Sequence, residues 1–182
     1  MARISPVPES DLQLSVQAAF YRYVKDYNVH LTNMKGILGH SLLAFDVYMQ
    51  WYLLYEQVEK ILGKRLAYLF AYSVTTSSDC LLCSAFFRKI IIDGGENPEN
   101  LQLTASQKDV LDFGNSIAKF HGNIRDHLYN SVAERYSKTD MVILVAFAGQ
   151  MIAATIFNNV IETDIDEYLT GYLPTLKYCW NG

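Results

Sequence analysis

Cysteine is scarce in this chain, three residues among 182, too few for the disulfide scaffold of a small secreted domain. Basic clusters are missing too. With 15 Lys and Arg against 19 Asp and Glu the net charge is −4, which argues against nucleic-acid binding as the main task. The first residues, Met1-Ala2-Arg3-Ile4-Ser5-Pro6, lack the apolar core of a signal peptide, so a reducing cytoplasm is the expected compartment. Nowhere is there a GxSxG, HExxH, Walker loop or dinucleotide fingerprint, and no cofactor is expected. Alternating runs and hairpin dipeptides are also absent, which removes the case for strands. There is no internal repeat and no low-complexity tract.

What is present is apolar and helical. Apolar residues make up 51% and charged ones 19%, the composition of a compact domain rather than a disordered chain. A length of 182 residues suits one domain with a sizeable core. Residues 1–8, with Pro6 and Pro8, read as an N-terminal arm, either mobile or clasping a partner subunit. Residues 9–182 read as a single all-α domain. Glu9, Ser10 or Asp11 opens a first helix reaching Tyr27, with Leu12, Val16, Ala19, Phe20 and Tyr23 along one stripe. Asn33 to Leu38 forms a short helix, and Ser41 caps a long one running to Leu62. That helix is aromatic almost all round, so both of its sides should be covered. Gly63 marks a joint, after which a helix resumes from Leu66 to Val74. Thr104 and Gln107 have capping-box form ahead of a helix from Ala105 to His121. Asp126 caps another, short helix.

The segment from Met141 to Phe157 is the most apolar of all. It falls just short of the roughly 20 residues a spanning helix needs. Gly149, Gln150 and its alanines suit close helix packing better than lipid, so no membrane insertion is expected. Asp164, Asp166 and Glu167 read as the solvated start of a short last helix, Ile165 to Leu169.

The stretch carrying chemistry is Ser77-Ser78-Asp79-Cys80-Leu81-Leu82-Cys83. Ser77, Ser78 and Asp79 are each good helix caps, and a helix starting there runs to Asp93-Gly94-Gly95. Cys80 and Cys83, at i and i+3, then share the first turn, where the helix dipole favours a thiolate. Three readings stand side by side: a redox dithiol, two small apolar residues packed in a core, and half of a metal site. The metal reading lacks ligands, since only Cys179 and four scattered histidines remain. Tyr68 and Tyr72, one turn apart on the preceding helix, could reach the pair. Ser84 could bond a thiolate, and Asp79 is the nearest carboxylate. Cys179 reads as a free thiol on the tail rather than an intersubunit bridge.

The Gly63-Lys64-Arg65 joint, the CxxC at a helix start, and the run Phe86-Phe87-Arg88-Lys89 to Asp93-Gly94-Gly95-Glu96 resemble the carboxymuconolactone decarboxylase and alkylhydroperoxidase D-like superfamily. The resemblance covers roughly residues 33–169. It implies an all-helical fold assembled as a homo-oligomer (dimer, trimer or hexamer). It also implies reduction of a peroxide by the CxxC, with an external dithiol as reductant. By the same resemblance Cys83 attacks the peroxide and Cys80 resolves the sulfenic acid to a disulfide. This chain departs from the pattern at two places. The relay histidine position holds Phe87, and the relay glutamate position falls at or near Tyr68. The dithiol is kept and the proton relay is lost. Two alternatives follow: a non-catalytic oligomeric scaffold, and a small-molecule-binding protein of the same superfamily.

Overall fold

The computed structural model describes residues 1–174. Helices account for nearly all of its regular structure, and among the described residues there is no strand. Among the described residues nine α-helices run in order: α1 Leu14–Tyr27, α2 Asn33–Leu38, α3 Leu42–Met49, α4 Trp51–Leu62, α5 Lys64–Ser77, α6 Leu81–Asp93, α7 Ala105–Lys119, α8 Asp126–Ala133 and α9 Lys138–Ile161. Short 3₁₀ helices, Glu9–Asp11 and Glu167–Tyr172, flank this set.

The centre of the molecule is α5. Leu66 to Ala71, Val74 and Thr75 are all buried along it, and α4, α6, α7 and α9 pack around it. Phe70, Phe113, Phe147, Leu69 and Leu144 are fully buried in this cluster. Each contributes about 1.5–3 kcal/mol of transfer free energy. The approach of α7 is close, since a Cβ on Gly114 would lie 2.6 Å from Ser73 Oγ and 2.7 Å from Phe70 Cε2. A second cluster joins α1 to α3 through Phe20, Tyr23 and Phe45. There Val16, Ala19, Phe20 and Tyr23 form the buried stripe that the 3.6-residue spacing predicts.

Local signals settle several boundaries. Thr104 and Gln107 form a reciprocal capping box at the start of α7, and Ser137 with Asp140 forms another at α9. Ser41 Oγ accepts the Ala44 N–H at 3.2 Å, as an N-cap should. Gly63, at φ 78°, makes the joint between α4 and α5 in a conformation open to glycine.

Four expectations need correction. The helix expected from Ser41 to Leu62 divides at Gln50, where bonds tighten to i→i+3: Gln50 N–H to Val47 O and Leu53 N–H to Gln50 O. Its outer side is not covered, for Leu43, Val47 and Leu53 are exposed. The first helix begins at Leu14 because Gln13 is extended after the 3₁₀ turn. The cap of α8 is Arg125, with Asp126 inside its first turn.

The arm lies along its own chain. Arg3 N–H donates to Ile161 O and Val7 N–H to Gly36 O, while Pro6 packs where a Cβ on Gly36 would stand 2.9 Å away. Among the described residues one helix, α9, is long and apolar enough to cross a membrane by length and composition. It packs against α4, α5 and α7 and leaves Val142, Val145, Ile156 and Val160 exposed. Cys179 lies outside the described residues.

Candidate functional site

The turn between α5 and α6 builds the cysteine site differently from the simple reading of its sequence. α5 continues through Ser77, so neither Ser77 nor Ser78 caps α6. Asp79 reverses the chain in the left-handed region, at φ 57°. Cys80 is then extended and is itself the N-cap, its Sγ accepting the Cys83 N–H at 3.2 Å. The caps favoured by propensity are used up by the length of α5, and the sulfur takes their place.

The two thiols have unlike surroundings. Cys80 is 1% exposed, whereas Cys83 is half-buried and lines a cavity. The pair shares a hydrogen bond. Cys83 donates to Cys80, which together with the Cys83 N–H holds the Cys80 thiol below its ordinary pKa against the opposing effect of burial. The same donated bond, followed by burial, pushes the Cys83 thiol well up. Asn158 Nδ2 from α9 donates to Cys83 Sγ at 3.3 Å and to Met34 Sδ at 3.4 Å. Thr155, one turn earlier on α9, also faces the sulfurs.

The cavity beside Cys83 measures about 80 Å³. Its walls are aromatic and thioether: Tyr48, Trp51, Tyr52, Phe86, Phe87 and Tyr168, with Met34, Met49 and Met151. Its polar side chains include Thr32, Lys35, Gln150, Asn158 and Asp166. Phe87, at the position where the resemblance expects a relay histidine, is a wall of this cavity and is 4% exposed.

The sequence carries no signal for Lys35 and shows Asp166 only as one of an acidic cluster. Burial lowers the Lys35 ammonium to about 8, in spite of the opposing pull of Asp166 and Cys83. Its hydrogen bond goes to Thr32 Oγ1 at 3.3 Å. Asp166 is 7% exposed, which overturns the reading of its acidic cluster as a solvated helix start. Asp166 Oδ1 accepts the Asn33 N–H at 2.8 Å, which ties the C-terminal segment to the start of α2. Burial raises this carboxyl, and the Asn33 bond and Lys35 pull it back. Asp164 of the same cluster stays exposed and binds the amino-terminal end through Ala2 N–H and the Met1 ammonium.

The other expected site residues do not line the cavity. Tyr68 donates to Glu96 Oε1 at 3.1 Å, and Arg65 completes that surface group with its own bonds to Glu96. Tyr72 OH accepts from Arg88. Neither tyrosine lines the cavity that holds Cys83. Ser84 is buried on α6, its N–H bonded to Cys80 O. Asp79 contributes its carbonyl, which accepts from Asn159 Nδ2. His30, His40, His121 and His127 are all exposed, and none lines the cavity. Among the described residues no group of three or more His, Cys, Asp or Glu is arranged to hold a metal ion.

The helical fold that carries this site is shared with known structures. The debrominase Bmp8 superposes with a TM-score of 0.74 over 93% of this chain and 95% of its own, at 12% identity. A cysteine-to-alanine variant of that enzyme in complex with 2,3,4-tribromopyrrole superposes with a TM-score of 0.74, at 12% identity over 93% and 94% of the two chains. An alkylhydroperoxidase AhpD core, a peroxidase-related protein from Ralstonia eutropha JMP134, gives 0.64 at 15% identity over 94% and 98%. The chain has the alkylhydroperoxidase D-like fold. No family model matches this sequence, and no curated protein is significantly similar to it. The likeness within the alkylhydroperoxidase D-like fold is therefore one of backbone, carried by helix packing rather than by shared sequence.

Proposed function

We propose that the protein is a thiol-dependent reductase that takes an electrophilic oxygen from a small aromatic hydroperoxide. The observation that carries this reading is the asymmetry of the pair: Cys83 opens on the cavity, while Cys80 sits behind it and shares its proton. As Cys83 attacks, its proton passes to the Cys80 sulfur. The S–O bond forms at Cys83, the O–O bond breaks, and the alkoxide leaves and takes a proton. Cys80 then attacks the Cys83 sulfenic acid. The S–S bond forms, water departs, and an external dithiol returns both thiols by exchange. Hydroperoxide plus two thiols thus gives alcohol, disulfide and water.

A second reading has its own support. The aromatic walls and the superposition with a debrominase suit attack by Cys83 on a ring halogen. A sulfenyl halide forms and the ring carbon takes a proton. Cys80 displaces halide to give the same disulfide. A reducing cytoplasm suits either reaction. The homo-oligomer implied by the resemblance belongs to the proposal as well, and the apolar side chains exposed on α3, α4 and α9 are the surface it would cover.

The test is to mix reduced protein with cumene hydroperoxide or with 4-bromophenol, following substrate loss and the Cys80–Cys83 disulfide by mass spectrometry. Stoichiometric disulfide formation with either substrate supports the dithiol mechanism, and the substrate consumed chooses between oxygen and halogen. Thiols that stay reduced with both, and resist alkylation until the protein unfolds, would overturn it.

A further inference from the structure

Two polar side chains of the cavity have no role in the thiol chemistry above. Lys35 comes from α2 and Asp166 from the segment after α9, and both line the cavity that holds Cys83. Asp166 is 7% exposed, and its Oδ2 has no hydrogen-bond partner among the described residues. Its other oxygen is occupied by the Asn33 N–H. Lys35 has three N–H donors, and its hydrogen bond to Thr32 uses one. The two charges feel each other, yet among the described residues they form no ion pair within 4 Å. A buried carboxylate oxygen without a donor costs roughly 1–3 kcal/mol or more, so its retention beside a cavity asks for a ligand.

We propose that Lys35 and Asp166 form a hydroxyl-recognising subsite, and that the molecule taken by this protein is a single aromatic ring bearing one hydroxyl. A hydroxyl both donates and accepts. It gives its hydrogen to Asp166 Oδ2 and takes one from the Lys35 ammonium, satisfying both ends with one group. A methyl ether lacks the hydrogen, and a carboxylate would face Asp166 with like charge. The remaining walls are aromatic and thioether, which suits a ring face. The volume of about 80 Å³ is smaller than the ~150 Å³ of a dry cavity that takes benzene, so a single ring is the most it admits. This names the substrate class of the cysteine site and rests on that reading for its chemistry, although the binding itself needs neither thiol. In an aromatic hydroperoxide such as cumene hydroperoxide the hydroxyl held is the terminal O–H of the peroxide, and in a halogenated substrate it is a ring hydroxyl.

The experiment is calorimetric titration of the reduced protein with phenol, anisole and benzoate. Phenol is expected to bind at least about tenfold more tightly than either. Asp166→Asn, which can still accept the Asn33 N–H, and Lys35→Met are each expected to remove that preference, with circular dichroism checking the fold. Equal affinity for phenol and anisole in the unaltered protein would overturn the subsite, and so would benzoate binding more tightly than phenol. Because the ligand series needs no variant, a misfolded Asp166→Asn protein leaves the result standing. Loss of phenol preference with disulfide formation intact would sink the subsite alone, whereas preference without any disulfide would sink the reductase alone. If phenol recognition stands, Lys35→Met slows consumption of cumene hydroperoxide, of 4-bromophenol, or of both. The substrate that is affected identifies which hydroxyl is held.

Discussion

Arg88 on α6 and Lys35 on α2 are both cations drawn in from solvent, and the protein treats them in opposite ways. Arg88, with its side chain 8% exposed, has its bonds arranged around it: Glu99, Tyr72 OH and the Tyr172 carbonyl all accept from it. Among the described residues Lys35 makes one hydrogen bond, to Thr32, with its ammonium over the Tyr23 ring, and it lines a cavity together with a carboxylate that has an oxygen without a donor. The first arrangement closes α6 onto the loop before α7 and the 3₁₀ helix after α9. The second leaves polar groups open beside a thiol. A fold under selection for stability alone would complete the second as it completed the first. Departures from local consistency gather where a protein works.

The largest break in that comparison should come from the thiol itself. Cys83→Ser is expected to lower substrate turnover by about a thousandfold or more and to leave the melting temperature nearly unchanged, because a hydroxyl of similar size fills the same place. Cys80→Ser should stop turnover after one event and leave Cys83 as a sulfenic acid that a dimedone adduct can trap. Turnover by the Cys83→Ser protein would move the chemistry away from this pair.

Arg88→Met probes the completed side. It removes three accepted bonds and leaves the Tyr172 carbonyl unpaired, although Glu99 is open enough to recover water. The expected loss is about 2–3 kcal/mol of stability, or a fall in melting temperature of roughly 5–10 °C. Thiol chemistry should survive, since Arg88 does not line the cavity that holds Cys83. A loss of turnover without a loss of stability would place Arg88 with the working groups and erase the distinction.

Lys35→Met probes the open side and should act in the opposite sense. Burial holds the Lys35 ammonium near 8, below its ordinary 10.5. Between those pH values the unfolded chain binds more protons than the folded one, so the stability of the unaltered protein rises with pH across that window. Below pH 8 the full cost of the buried charge is present. The methionine variant is therefore expected to be more stable at pH 7 by about 1–3 kcal/mol, and the gap should close as pH approaches 10.5. Denaturant melts at pH 7 and pH 10 would show it. A variant less stable at pH 7 would mean that the charge is as well matched as that of Arg88.

These two sides were not equally legible in the sequence. The stripe Val16, Ala19, Phe20 and Tyr23 and the capping box of Thr104 and Gln107 are local patterns, and the fold follows them. Backbone superposition reaches the same all-α architecture that the CxxC and its flanks suggested. The cysteine pair was visible, but its cap was not. Ser77, Ser78 and Asp79 all favour caps, and only the packing of α5 decides that Cys80 takes that role. Lys35 and Asp166 left almost no trace. A lone lysine in a short helix and an acidic trio near the end both look solvated until Asn33, 133 positions away, is seen to bind one of them. A cavity walled by α2, α4, α6 and α9 is a tertiary fact. Asn158 stands directly after the apolar run from Met141 to Phe157, and only the fold shows that it holds the Cys83 sulfur.

Thr155 gives the smallest effect and the finest discrimination. It is buried on α9 at 2% exposure, and its Oγ1 has no hydrogen bond of normal geometry among the described residues, yet it lies where it helps hold both thiols in their charged form. Thr155→Val keeps the shape and deletes the hydroxyl. If Thr155 belongs with Arg88, stability falls. If it belongs with Lys35 and Asp166, deleting an unpaired buried hydroxyl should leave stability within about 1 kcal/mol of the parent, or raise it. The Cys80 pKa should then move up, because one favourable contact with the thiolate is gone. The measurement is the pH dependence of Cys83 alkylation, since a Cys80 sulfur that binds its proton more tightly shifts the profile of its partner. A rise in stability with an unmoved profile would make Thr155 a bystander, and the open side of the cavity would shrink to Lys35, Asn158 and Asp166.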